Sequence, residues 1–130
     1  MPVVSEGPSY SVSLDGDRGS IRVWKRPDLS SDEGARLAVE MAKAIAALLP
    51  KVRALVFDLR DAPPVSGPTT VDALENLVRA CERGRIRVAA IVSDDAMQRL
   101  QVNRVVKEVA PEMGRVFGTP ADAEAWLARR

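Results

Sequence analysis

Asp58, Asp61 and Ser66 are the residues of this 130-residue chain whose types and spacing come nearest to a reactive site. Two carboxylates beside a hydroxyl could supply oxygen ligands to a divalent cation. The same residue types form turns for local reasons, with Asp58 bonding its own turn and Asp61 solvated. We favour the turn interpretation and expect no metal site.

Hydroxyl groups follow these carboxylates at the start of a predicted helix, on Ser66, Thr69 and Thr70. A phosphate at such a position is favoured by the exposed backbone amides, so Ser66 and Thr69 are candidates for phosphorylation. Helix capping explains at least one hydroxyl without modification. The nearby glycines have neither GxxxxGK[ST] nor GxGxxG spacing, so we expect no nucleotide or other cofactor.

The composition excludes most catalytic chemistry. The chain has no histidine and one cysteine, which removes imidazole bases, histidine metal ligands and cysteine–histidine nucleophiles. Cys81 lies on an apolar helical stripe and is expected to behave as a small hydrophobe. Only carboxylates, lysines and arginines remain for acid–base work. We therefore expect a protein that is not an enzyme.

The charges are balanced, with 19 basic and 18 acidic residues. Arginines cluster at Arg79, Arg83, Arg85 and Arg87, where we expect them to complement a helix dipole rather than to bind nucleic acid. The N-terminal sequence has no signal-peptide pattern, and no apolar run approaches the roughly 18 residues of a membrane span. We expect a cytoplasmic protein without a transmembrane segment.

Apolar periodicity predicts the elements that position these residues. Residues 1–9 are expected to be a loose lead-in, followed by a hairpin of strands at 10–14 and 21–25 whose loop is longer than two residues. Ser30 and Glu33 form a capping box for a helix that ends at Pro50. A short strand, 54–57, then precedes the loop that carries Ser66.

The second half of the chain alternates helices and strands. We expect a helix capped by Thr69 or Thr70, with Asp72 in its first turn, to end near Gly84. A strand over 86–92, a helix capped by Ser93, a strand over 115–117 and a helix opened by Thr119-Pro120 follow. The order ββαβαβαβα predicts one α/β domain, residues 10–130, with a mixed sheet of about five strands and about four helices. Ala123, Trp126 and Leu127 should anchor the last helix.

The third helix presents two faces of different kinds. Four valines, at 102, 105, 106 and 109, share one face. Met97, Leu100 and Arg104 share the opposite face, which is either covered by the last helix or exposed as an interaction surface. Dimerisation is the simplest use of an exposed patch on a small domain. These three residues are therefore the candidate dimer surface.

The strand-ending Asp58-Leu59, the loop with Ser66-Gly67 and the closing segment RVFGTPADAEAWLARR resemble the SpoIIAA-like group of the STAS superfamily. The superfamily includes domains of sulphate transporters and bacterial anti-sigma-factor antagonists. The resemblance covers nearly the whole chain from Tyr10. It implies a mixed sheet with packed helices, and part of the group is described as similar to CRAL-TRIO lipid-binding domains.

The anti-sigma-factor antagonists carry a loop of the form DLSGVxxxDSSG, whose phosphorylated serine controls partner binding. Placing Asp58-Leu59 on its start without gaps puts Ser66 at the motif's aspartate and Gly67 at its phosphorylated serine. The phosphoacceptor is thus not carried over. Ser66 and Thr69 could replace it only if the loop differs in length.

Together these features predict a regulatory or protein-interaction domain that binds an unidentified protein through the loop after the third predicted strand. The predicted contact residues are Asp58, Arg60, Asp61, Val65, Ser66, Gly67, Thr69 and Thr70. The alternative is a binder of a lipid or other apolar small molecule, in a CRAL-TRIO-like cavity between sheet and helices.

Overall fold

A mixed six-stranded sheet and four helices form the described part of the chain, which comprises residues 3–7, 10–24, 31–62 and 68–129 of the computed structural model. The strands are β1 (Val3–Gly7), β2 (Tyr10–Asp15), β3 (Arg18–Trp24), β4 (Ala54–Asp61), β5 (Arg87–Ile91) and β6 (Gly114–Phe117). The helices are α1 (Ser31–Leu48), which a 3-10 turn at Leu49–Lys51 extends, α2 (Pro68–Arg83), α3 (Ala96–Val109) and α4 (Pro120–Leu127).

The strands lie in the sheet in the order in which they occur in the sequence. β1, β2 and β3 are antiparallel neighbours, and β3 to β6 are parallel neighbours. The predicted α/β class, mixed sheet and four helices are confirmed. The expected count of about five strands is short by one because β1 forms within the predicted lead-in, where it pairs with β2.

Sequential strand order explains why the two faces of the sheet differ. Parallel crossovers have one hand, so three crossovers that step in the same direction place α1, α2 and α3 on one face. Their apolar side chains pack there against inward residues such as Val12, Ile21, Leu55 and Phe57. Gly19 lies under this layer, where an added Cβ would come 2.9 Å from Leu48 of α1.

The second face is covered in part by α4, which follows the last strand. Ala123 of α4 is buried in a smaller cluster with Val56, Ala89 and Ile91, and Phe117, Trp126 and Leu127 pack against that cluster. The predicted anchoring of α4 by Ala123, Trp126 and Leu127 is therefore confirmed. Thr119 accepts a hydrogen bond from the Asp122 amide and caps the helix.

Three local predictions are wrong in ways that local chemistry explains. The β2–β3 hairpin has a two-residue turn, because Asp15 pairs with Arg18 and Gly16 adopts the positive φ that tight hairpins need. α2 begins at Pro68, since proline is tolerated at the first helical position. Thr69 and Thr70 therefore lie inside the helix rather than capping it, and its first turn contains no acidic residue.

Asp95, rather than Ser93, caps α3. Its side chain accepts a 2.8 Å hydrogen bond from the backbone amide of Gln98. The Ser93 hydroxyl instead accepts from the backbone amide of Asp95 at 3.2 Å. Ser93 thus fixes the backbone just before the helix, and Asp95 is the residue that caps it.

Candidate functional site

The end of β4 is the structural basis of the candidate site, and it differs from the predicted short strand. β4 continues through Asp58 to Asp61, because these residues keep pairing with β3. Arg22 pairs with Asp58 and Trp24 with Asp61, so three steps of β4 oppose two steps of β3. Such a bulge re-aims side chains. It aligns Asp61 with Trp24, whereas strict alternation would place Asp61 with buried Leu59.

Asp58 and Arg60 form a hydrogen-bonded ion pair on the second face of the sheet. The Arg60 guanidinium donates to the Asp58 carboxylate at 3.0 Å from Nε and at 2.8 Å from Nη2, and the Arg60 amide donates at 3.1 Å. Burial acts to raise the pKa of Asp58, but the hydrogen bonds from Arg60 and the charges of Arg60 and Arg22 hold that pKa below its ordinary value of 3.8. Asp58 is thus a poor general base at neutral pH.

Arg22, Trp24 and Asp61 form the adjoining group. The Arg22 guanidinium donates to the Asp61 carboxylate at 2.9 Å and lies 5.5 Å from the centre of the Trp24 ring. Arg22 and Asp61 are each 57% exposed at their side chains, while Trp24 is half-buried. A cation over an indole face holds the ring in one orientation.

These residues belong to a continuous surface on the second face. We call it the open polar surface and define it by Ser20, Arg22, Trp24, Asp58, Arg60 and Asp61. Among the described helices, α1 to α3 pack on the other face. α4 packs over β5, β6 and Val56 of β4, and its Glu124 pairs with Arg18 at the start of β3 at 2.6 Å. The described helices therefore leave the later part of this surface, from Arg22 to Trp24 and from Asp58 to Asp61, uncovered.

The sequence-based prediction includes Asp58, Arg60 and Asp61, which lie close together in the structure, and omits Arg22 and Trp24. Alternation along β3 was the available signal, because Arg22 and Trp24 fall on the face opposite Ile21 and Val23. Arg22 and Trp24 are far from Asp61 in the sequence, and only the pairing of β3 with β4 brings them close to it.

The remaining loop residues are only partly placed. Val65, Ser66 and Gly67 lie outside the described residues. The backbones of Thr69 and Thr70 lie in the first turn of α2, and their side chains lie outside the described part. Ala62 donates its amide to the Leu59 carbonyl at 3.1 Å, which starts the turn after β4.

Gln98 is a third residue that the sequence analysis missed. It is 4% exposed, and its side-chain amide donates to the Leu59 carbonyl at 2.8 Å. Its side-chain oxygen accepts from the backbone amide of Ser93 at 2.8 Å. Asp95 and Gln98 have the spacing of a capping box, which was the available signal. Gln98 thereby ties the ends of β4 and β5 together beside the candidate site.

The carboxylates and the thiol give no reactive cluster. Asp58 bonds Arg60 and Asp61 bonds Arg22, and the described residues contain no group of three histidine, cysteine or carboxylate side chains able to hold a metal. Cys81 is fully buried, and burial raises the pKa of its thiol to about 12. It has the apolar environment predicted for it.

The four clustered arginines separate in the structure. Arg79 bonds Asn76, Arg85 bonds Glu112 at 2.7 Å, and Arg87 lies at the C-terminus of α4. Arg87 donates to the carbonyls of Trp126 and Leu127. Arg83 lies in the last turn of α2, where it complements the dipole of that helix as predicted, whereas Arg87 complements the end of α4.

The candidate dimer surface on α3 is exposed. Met97 and Leu100 are 57% and 66% exposed, and Arg104 is exposed beside them. The described part of α4 packs on the other face of the sheet. Coverage of Met97 and Leu100 by the last helix, one of the two alternatives, is therefore wrong.

A groove of about 300 Å³ lies between α1 and the β1–β2 edge of the sheet. Its lining residues are Val4, Ser5, Leu14, Ala44, Ala47, Leu48 and Lys51. Five of the seven lining residues are apolar, Ser5 adds a hydroxyl, and Lys51 supplies one cationic group. Its volume is at the lower end of small-molecule pockets.

Among the described helices, none has the length and apolar character needed to cross a bilayer. No protein-family model matches the chain, and no curated protein matches it.

Proposed function

We propose that this chain is a noncatalytic STAS-like interaction or regulatory domain, which binds a partner protein through the open polar surface and the loop after β4. The single observation that carries the proposal is Trp24, oriented by Arg22 on the part of the sheet surface that the described helices leave uncovered. Tryptophan and arginine are the residues that most often dominate binding energy in protein interfaces.

The charges of this surface support a protein partner over a strongly charged polymer. Arg22 and Arg60 are balanced by Asp58 and Asp61 within hydrogen-bond distance. A nucleic-acid surface would require an excess of cations. Paired charges around an aromatic anchor instead give a polar rim that orients a partner.

Regulation belongs to the neighbouring loop in this proposal. Ser66 and Thr69 are the candidate phosphoacceptors, and Thr69 lies in the first turn of α2, where exposed amides favour a phosphate. A phosphate on Ser66 or Thr69 would add negative charge shortly after Asp61 in the sequence. The partner would then meet a surface of changed charge.

Replacing Trp24 tests the binding surface. A partner captured from the native organism and then purified should bind Trp24→Ala about thirtyfold more weakly than wild type, since a tryptophan anchor contributes about 2 kcal/mol or more. Isothermal titration calorimetry gives the affinity. Arg36→Ala, at an exposed site on α1 and so on the other face, is the matched control. Equal affinity of wild type and a folded Trp24→Ala protein would contradict the proposal.

The groove favours a second candidate function, binding of an apolar small molecule. Its valine, leucine and alanine side chains, with Lys51 at one position, suit a ligand with an alkyl chain and a carboxylate. In this second candidate function, which corresponds to the CRAL-TRIO-like alternative, the ligand is a fatty acid or a similar amphiphile. The groove and the open polar surface are on different faces, so the two functions can be tested separately.

A tryptophan placed in the groove tests this second function. Ala47→Trp should fill the groove and weaken binding of the fluorescent fatty acid cis-parinaric acid about tenfold or more, equivalent to a loss of ~1.4 kcal/mol. Ala46→Trp, the neighbouring exposed position outside the groove, should bind as wild type. Absence of saturable binding by wild type, or equal loss in both variants, would exclude the groove as the site.

A further inference from the structure

α3 carries a strip of exposed side chains whose character changes along the helix. Met97 and Leu100 are exposed near its N-terminus, and Arg104 and Lys107 are exposed on the same side farther along. At about 100° per residue, the four side chains fall within one side of the helix. The opposite side of the helix carries its buried residues Val102, Val105 and Val106. The strip is thus separate from the packing that holds α3 on the sheet.

The charges at the two ends of this strip are opposite. Asp94 precedes the helix with a fully exposed side chain, and one of its oxygens accepts from Arg99 at 3.1 Å. Lys107 is in the last turn. From N-terminus to C-terminus the strip therefore carries Asp94, then Met97 and Leu100, and then Arg104 and Lys107, with the exposed Glu108 at its edge. When two copies of this strip lie antiparallel, Asp94 of each copy faces Lys107 of the other. A contact about a two-fold axis requires a surface that is complementary to itself in this way.

We propose that α3 pairs antiparallel with α3 of a second copy of the chain, about a two-fold axis next to Leu100 and Gln101. Met97 then packs beneath the aliphatic stem of Arg104 of the second copy, and Leu100 lies against Leu100 and Gln101 of the second copy. Asp94 faces Lys107 of the second copy. Each of these contacts occurs twice.

Gln101 gives this register additional support. It lies on the flank of the strip, and its buried Oε1 meets no hydrogen-bond donor in the described part of the chain. An unsatisfied buried acceptor costs free energy. In the proposed pair, the two Gln101 side chains lie close to the axis. Rotation about the last side-chain bond turns each Oε1 from its buried position to the surface, where it can accept a hydrogen bond from the Gln101 amide of the second copy.

The pair is expected to be weak and sensitive to salt. One helix pair buries less than the ~800 Å² per partner of a standard stable interface. The exposed Asp94 and Lys107 attract each other less as salt screens them. Dimerisation should therefore depend on protein concentration and decrease at high ionic strength.

Analytical ultracentrifugation of the full chain over a concentration series tests the pairing. Wild type should show a monomer–dimer equilibrium, and Leu100→Asp should remain monomeric because it places two carboxylates at the axis. Val39→Asp makes the same change at an apolar residue of α1 that is 55% exposed, and it should dimerise as wild type. Monomeric wild type, or Leu100→Asp that dimerises normally, would overturn the proposal.

A charge exchange tests the antiparallel register. Lys107→Asp alone and Asp94→Lys alone should each weaken the dimer, because like charges then face each other. The double variant Asp94→Lys with Lys107→Asp should recover much of the affinity, since opposite charges face each other again. A double variant no tighter than the weaker single variant would overturn this register.

Cysteine cross-linking places the axis directly. Leu100→Cys should form a disulfide-linked dimer under mild oxidation, and Val39→Cys should not. The buried Cys81 does not compete, because it is fully inaccessible. Cross-linking at position 39 but not at position 100 would place the contact elsewhere. Since the strip lies on the face opposite the open polar surface, Leu100→Asp should leave partner capture unchanged.

Discussion

At the scale of single residues, Asp58 shows two opposing effects on one carboxylate. Its side chain is 13% exposed, and that burial favours the neutral acid. The two guanidinium contacts and the backbone amide of Arg60 favour the charged form and lower the pKa. Asp58 is therefore a structural anion that holds Arg60 in place on the open polar surface.

Asp58→Asn should destabilise the protein at neutral pH and have less effect in acid. Because the folded-state pKa lies below the ordinary value of 3.8, the ionised carboxylate contributes stability above that value, and this stability is lost as the pH falls through the folded-state pKa. Arg60 is 42% exposed, so we expect a loss of about 1 kcal/mol or less.

Urea denaturation at about pH 7 and about pH 3 measures this difference. Asp72→Asn, at an exposed position on α2, is the matched control and should show no comparable loss at neutral pH. A deficit in Asp58→Asn that is the same at both pH values would show that the lost contact is not ionic.

Residue types at this site were predictable where they follow one another in sequence. Asp58, Arg60 and Asp61 were identified together, whereas Arg22 and Trp24 were not, because their contact with Asp61 depends on strand pairing. The bulge that aligns Asp61 with Trp24 has no signature in β4 itself. Register across strands is a tertiary property, and local patterns do not determine it.

At the scale of elements, α4 depends on one arginine from β5. The Arg87 guanidinium donates to the carbonyls of Trp126, Leu127 and Arg129, and it lies 4.2 Å from the centre of the Trp126 ring. The last carbonyls of a helix have no partners within it. Arg87 supplies those partners and complements the negative end of the helix dipole.

Arg87→Met should loosen α4 and destabilise the protein by about 1.5–3 kcal/mol, the range for hydrogen bonds to a charged group. Urea denaturation gives the change, and near-ultraviolet circular dichroism reports the packing of Trp126. Arg87→Lys should recover only part of the loss, because an ammonium lacks the planar fork that reaches several carbonyls. Arg83→Met, at the exposed end of α2, is the control. Equal effects in the two methionine variants would contradict the capping role.

Element boundaries were predictable where apolar runs end at strong signals. The last helix was placed correctly because Thr119 and Pro120 define its start. The predicted start of α2 was too late in the sequence, because Pro68 was taken as part of the loop, whereas it is the first residue of the helix. β1 was missed because Val3–Gly7 has no apolar alternation and lies between Pro2 and Pro8 in the sequence; it becomes a strand by pairing with β2.

At the scale of the whole molecule, alternation of strands and helices correctly predicted an α/β domain with parallel central strands. It did not predict that α1, α2 and α3 would share one face, which depends on the sequential order of strands in the sheet. A sheet whose order reverses would have had helices on both faces. The open polar surface is therefore a result of topology.

The same sequential order has a consequence for folding during synthesis. Each strand pairs with the strand made just before it, so no later strand has to insert between two that have already paired. The loops closed at each step are short relative to the chain, which lowers the entropy lost before contacts form. As the chain leaves the ribosome, the sheet can grow at one edge from β1 toward β6.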